Sequence, residues 1–206
     1  MSRDRDCSHQ KTRESEAVIL ACPANVAAQL LTSVVPDAAN ALREIRHAGI
    51  GTLALAYPRQ MLEQHQHLRG LMVPRHSGSA IDAVLFTGFK MPARVSGDLG
   101  AIRVFFGAND PDLVRLPENQ LLEVVRSELR TMLNLEAAPL AHHAFRWPQG
   151  FPVLELGHTN RVDTAERLMP HGVFLAGASY RGLGVPDCVR QGQEAAQKAL
   201  GLPVLA

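Results

Sequence analysis

Short apolar runs and apolar residues at helical spacing alternate along this chain, with prolines and glycines marking most of the junctions. Residues 17–21 (AVILA) predict a buried strand. Pro23 then opens a helix over 24–31, whose apolar residues include Val26, Ala27, Leu30 and Leu31. A second helix begins at Pro36 and runs to about residue 46. Residues 52–57 (TLALAY) predict a strand that Pro58 ends, and 60–67 read as a polar loop. Two strands follow, 70–74 (GLMVP) and 81–86 (IDAVLF), around the turn residues Ser77, Gly78 and Ser79. After a loop at 91–99, residues 101–107 (AIRVFFG) predict another strand. Pro117 begins the clearest helix, to about residue 134. Leu121, Leu122, Val125, Leu129, Met132 and Leu133 share one face of it, and Glu118, Glu123, Arg126, Glu128 and Arg130 form its solvated side. Residues 140–147 predict a strand that ends in the loop RWPQGFPVLELGH, and His158 starts a helix that Pro170 stops. The last units are a strand at 173–176 and a helix from Val189, with Pro186 at its entrance and Asp187 as its candidate cap.

Composition narrows the class. The 206 residues suffice for one large domain or two small ones, and 46% are apolar, enough to bury a core. A net charge of +1 and 5% aromatic residues give no case for a nucleic-acid partner. The odd set Cys7, Cys22 and Cys188 forms neither a metal pattern nor a disulfide framework, so a reducing, cytoplasmic compartment is expected. No apolar run is long enough for a transmembrane segment, which leaves peripheral membrane contact open. Residues 1–16 are dense in charge and are expected to be disordered, or to be the start of a truncated reading frame. His65 and His67 stand two apart, as metal ligands or as part of a solvated loop.

The stretch VFLAGASYRGLGVPDCVRQGQEAAQKAL (173–200) carries the chemistry. It reads as strand, glycine loop and helix. Gly177, Gly182 and Gly184 allow tight turns and close backbone approach, and the helix start offers unpaired N–H groups with partial positive charge. Such an end suits a phosphate, a carboxylate or the anionic ring edge of a reduced flavin; the alternative is a strand–helix connection stiffened by glycine. The spacing G-x-G-x-x-D at 182–187 is not the dinucleotide fingerprint, because Asp187 replaces the third glycine.

LAGASYRGLGVPDCVRQGQEAA closely resembles the C-terminal flavin-binding segment of protoporphyrinogen oxidases, in the flavin amine oxidase superfamily, with Val189 for the usual isoleucine. Weaker resemblances extend from about residue 16 to 200. The strand-then-Pro-Ala unit at 17–24 is similar to that family's V-V-x-A-x-P-A. GLMVP is similar to G-F-G-x-L-V-P, with Leu68, Arg69 and Met72 as departures. The end of AIRVFFG is similar to F-x-G-G, with Ala108 in place of the second glycine. Arg146, Trp147, Pro148, Pro152, Gly157 and His158 match W-P-x-A-x-P-Q-Y-x-x-G-H, while Val153 and Leu154 replace the polar pair. Trp147 is then a pocket wall or a core residue, and His158 an acid–base group or a helix-start histidine.

The resemblance implies an α/β, α+β-mixed fold: the C-terminal part of an FAD-binding Rossmann-like domain (17–35 with 158–201) and a mixed-sheet substrate domain with helices (36–157). AVILA and VFLA would share one sheet. It implies FAD as cofactor, held at Gly177, Leu183, Gly184 and Val185, and a porphyrinogen substrate near Gly70 and Met72. No catalytic acid or base is assigned, since the flavin takes the hydride and the protein positions the substrate. No G-x-G-x-x-G occurs in these residues, so FAD binding by this chain alone is expected to be weak. Two readings remain. One is a C-terminal fragment of an oxidase of protoporphyrinogen or coproporphyrinogen in heme biosynthesis, with oxygen as acceptor. The other is a non-catalytic remnant or subunit of a related flavoprotein with another substrate, assembling as a homo-oligomer or with a complementary N-terminal chain.

Overall fold

Two short parallel strands bring distant parts of the sequence together in the computed structural model, which describes residues 14–95 and 97–203. The first, β1 (Val18–Leu20), pairs with a strand at Val173–Leu175 in the register Val18↔Val173, Ile19↔Phe174 and Leu20↔Leu175. The expected pairing of AVILA with VFLA is therefore present. The chain divides into two compact units: residues 14–45 with 154–203, and Arg46–Val153. The disorder expected for 1–16 falls mostly outside the described residues, as does Cys7; Cys22 and Cys188 are free thiols.

In the outer unit, α1 (Ala24–Leu31) and α2 (Pro36–Arg43) bury small and branched faces. Ala24, Ala27, Ala28 and Leu31 recur at helical spacing and meet Ala39, Leu42 and Ile45 in one cluster. Because Ala39 and Leu42 complete this cluster, the compact boundary falls after Ile45 rather than at residue 35. β1 is not the buried strand its apolar run predicts: Val18 and Ile19 are exposed. Among the described residues the sheet there has two strands, and an apolar run is buried only where a second layer covers it.

The middle unit is a five-stranded antiparallel sheet. In chain order its strands are β2 (His47–Pro58), β3 (Gly70–Met72), β4 (Ile81–Leu85), β5 (Leu99–Phe106) and β6 (Ala141–Pro152). Their spatial order is β3-β4-β5-β2-β6. α3 (Thr87–Lys90) is a single turn after β4, and α4 (Glu118–Leu133) covers one sheet face. Leu53, Leu55 and Tyr57 of β2 and Ile102, Val104 and Phe106 of β5 alternate toward Leu121, Val125 and Leu129 of α4. Burying a side chain of this size contributes roughly 1.5–3 kcal/mol. Gly51 has a packing reason: a Cβ there would run into the Phe106 ring.

Three local readings change. β6 does not end at Trp147 but continues to Pro152, stepping past Pro148–Gly150 by a register shift opposite Ala48 and Ile50. Proline is tolerated because β6 is an edge strand. Glu118 and Glu128 are not merely solvated. Glu118 accepts from the Ala144 N–H (3.1 Å), and Glu128 accepts from the Ser79 hydroxyl (2.7 Å) and the Ala80 N–H (3.0 Å). Residues 60–67 are largely a 3₁₀ turn (Arg59–His65) anchored by buried Leu62, and the His65 ring donates to the Leu133 carbonyl (3.0 Å).

Candidate functional site

In the outer unit, α5 (His158–Leu168) precedes β7, the strand at Val173–Leu175, and α6 (Val185–Ala199) follows it. The loop from Ala176 to Gly184 joins β7 to α6, and buried polar side chains hold it from several sides. The Ser179 hydroxyl accepts from the Ala24 N–H (3.1 Å), which satisfies the first donor of α1 across 155 residues of sequence. The Tyr180 hydroxyl donates to the Cys22 carbonyl (2.9 Å), and burial pushes its pKa up. The His158 ring donates to the Tyr180 carbonyl (2.7 Å). His158 is thus a buried anchor of the loop rather than a group held toward a reacting atom. Arg181 bonds Asp163 (2.6 Å) and Glu166 (2.5 Å) on α5; the Glu166 bond is the larger cause of its raised pKa.

Gln191 is a residue that sequence reading passed over. It is buried on α6, and its carbonyl accepts from the N–H groups of Gly177 (3.3 Å) and Arg181 (3.2 Å), while its amide donates to the Asp187 carbonyl (3.2 Å). One side chain therefore fixes both ends of the turn. The signal was a polar residue one helical turn beyond Asp187, on a face shared with Ala195.

The helix begins at Val185, earlier than the sequence predicts. Asp187 is its third residue, not its cap, and its carboxylate accepts from the Gly184 N–H (3.2 Å). That is half of a capping box, and glycine at the cap has no side chain to supply the other half. The glycines divide by role. Gly182 has φ +127°, and a Cβ there would lie 2.6 Å from the Asp187 carboxylate; Gly184 has an ordinary φ of −70°. Leu183 is half-buried, and Gly184, Val185 and Pro186 are exposed, with Val185 at 77%. Leu183, Gly184 and Val185 stand at the helix start, where Asp187 takes the Gly184 N–H and Pro186 has none, which leaves the Val185 and Asp187 N–H groups without an intrahelical partner. Gly177 sits at the other end of the loop.

Gly70 and Met72 lie in the middle unit, on the face of the sheet opposite α4. Their rows follow from the register. One runs Gly70, Leu85, Arg103, Ala54, His143; the next runs Met72, Ala83, Phe105, Thr52, Phe145. Met72 is 84% exposed, and the β6 aromatics stack outward: His143 meets Phe145 edge-on at 4.6 Å and Phe145 meets Trp147 at 6.4 Å. Trp147, 48% exposed, is therefore not a core residue. This face is largely apolar, with Thr52, Arg103 and His143 as the polar side chains of these rows, so it suits a ligand with an apolar body.

The family model for flavin containing amine oxidoreductases matches residues 4–200. The chain belongs to that family. The coproporphyrinogen III oxidase of Bacillus subtilis is 28% identical over 193 residues, 92% of this chain and 41% of that protein. The chloroplastic protoporphyrinogen oxidase of Nicotiana tabacum is 27% identical over 201 residues, 91% of this chain and 37% of that protein. The chain thus spans about two-fifths of the length of these relatives. Among solved structures, the cyclohexylamine oxidase of Brevibacterium oxydans superposes with a TM-score of 0.71 at 16% identity, over 94% of this chain and 45% of that one. The mixed α/β architecture is therefore that of flavin amine oxidases. Among the described residues no helix is long and apolar enough to cross a membrane.

Proposed function

We propose that this chain supplies the flavin-ring loop and the substrate-facing sheet of an FAD-dependent porphyrinogen oxidase, one that converts coproporphyrinogen or protoporphyrinogen to the porphyrin with oxygen as acceptor. The observation that carries the reading is the conformation of 176–187. The residues similar to the family's flavin segment form a strand, a turn fixed by Gln191 and an exposed helix start. A flavin ring would lie against Leu183, Gly184 and Val185, where a missing Cβ allows close approach and the Val185 and Asp187 N–H groups of the helix start face out. Bound FAD would supply the hydride acceptor. The chain's own part is to hold the ring, seat the hydrocarbon body of the substrate on the Met72 and Phe105 face, and exclude water. The porphyrinogen assignment is further supported by what the curated relatives are named for.

The pyrophosphate cradle G-x-G-x-x-G does not occur in these 206 residues. The chain alone is therefore expected to bind FAD weakly, since several charge-assisted bonds of roughly 1.5–3 kcal/mol each would be unmade. Isolation of a stoichiometric yellow complex of this chain would overturn that expectation. The functional test joins the chain to the part of the Bacillus subtilis relative that it does not match and follows coproporphyrin fluorescence from coproporphyrinogen III. Flavin binding and turnover, with both abolished by Gly184→Val, are the expected results. Flavin binding without turnover would favour a flavoprotein with another substrate. Wild-type affinity in Gly184→Val would reduce the loop to a structural turn.

A further inference from the structure

The open face of the five-stranded sheet carries a cation that no neighbour answers. Arg103 stands in mid-β5 between Ala101 and Phe105, flanked in its row by Leu85 and Ala54. Its neighbours in β5, Ile102 and Val104, point to the opposite, buried face. Among the described residues Arg103 has no hydrogen bond or ion pair, and its Nε is closed to solvent without a partner. The other arginines with a buried Nε differ: Arg126 bonds Glu123 at 3.1 Å, and Arg146 donates to the Leu116 carbonyl at 3.0 Å. Arg181 in the outer unit is held by two carboxylates. Leaving a half-buried guanidinium unmatched on an apolar surface is costly, and a carboxylate is the group that satisfies two of its donors at once.

We propose that this face binds an apolar carboxylate, with its hydrocarbon body over Met72, Phe105 and Phe145 and its carboxylate on Arg103. Resting on the porphyrinogen reading, the carboxylate is an acid side chain of the tetrapyrrole, and Arg103 sets how the ring is oriented on the sheet. Arg103 is a substrate-orienting residue and takes no part in electron transfer.

The chain's one tryptophan, Trp147, projects from β6 on the same face and reports occupancy through its fluorescence. The full chain is titrated with coproporphyrin III and with its tetramethyl ester, which keeps the ring and removes the charges. The wild type should bind the acid about tenfold to a hundredfold more tightly than the ester. Arg103→Met should remove that preference, and Arg103→Lys should restore part of it. Equal binding of acid and ester by the wild type would overturn the proposal without any variant. So would undiminished acid binding in an Arg103→Met protein of unchanged circular dichroism. 2-Naphthylacetate separates this proposal from the reading it rests on. Binding of naphthylacetate that depends on Arg103, with no porphyrin binding, keeps the anchor and refutes the porphyrin assignment; binding of neither probe refutes both.

Discussion

The loop after β7 and the open face of the five-stranded sheet are held in shape by different means. Between Ala176 and Gly184 the backbone is irregular: His158 and Gln191 supply the hydrogen bonds its carbonyl and N–H groups would have made in a regular element, and Ser179 and Tyr180 tie it to Ala24 and Cys22. On the sheet the backbone satisfies itself through the ladder. The side chains of the open face are then free to be apolar, and among the described residues Arg103 stands there with a buried Nε that no protein group answers. A site built from a loop must spend polar side chains on its own scaffold. A site built on a strand keeps them for the ligand.

Substitutions can break that contrast, beginning with the largest effect. Gly182→Val forces a β-branched residue to φ +127° and against the Asp187 carboxylate. It should cost about 2–3 kcal/mol in chemical denaturation, whereas Gly184→Val, at φ −70° and with its Cβ 3.0 Å from the same carboxylate, should cost less, about 1 kcal/mol. Equal losses would mean that the loop is not shaped by Gly182. Gln191→Leu keeps the volume but strands the N–H groups of Gly177 and Arg181. A loss of about 1–3 kcal/mol is expected, with faster hydrogen exchange confined to the loop; uniform exchange across α6 would point to a helix effect instead.

A last effect tests the sheet and appears only at high pH. Burial pushes the Tyr57 phenol up to about 12 from its ordinary 10, with Arg126 opposing the shift. The unfolded chain then loses this proton first, so stability is complete below pH 10 and falls as pH rises from 10 toward 12, by up to about 1.4 kcal/mol per unit. Burial raises the Tyr180 phenol likewise, so the loss is shared. Tyr57→Phe should flatten the part of the alkaline decline that belongs to the middle unit, measured by pH-dependent melting. An unchanged profile in that variant would assign the decline to other groups.

Local pattern determined much of this protein. The 3.6-residue spacing in 117–134 marked α4 and its buried stripe, because a helix that covers a sheet must be apolar on one side. The motif LAGASYRGLGVPDC marked the loop and its family, because glycine and proline constrain the backbone wherever they stand. Tertiary structure decided the rest. Nothing local distinguishes an apolar run with two covered faces from β1, whose Val18 and Ile19 are exposed. Nor does local pattern reveal that His158 and Gln191 bind backbone of the same loop from two different helices. Burial and hydrogen-bond partnership depend on what arrives from 14, 22 or 155 residues away, and that information lies in the packing of elements rather than in any one of them. Arg103 shows the same division: its alternation with Ile102 and Val104 fixes its face in the sequence, while its lack of a partner is a property of the assembled sheet alone.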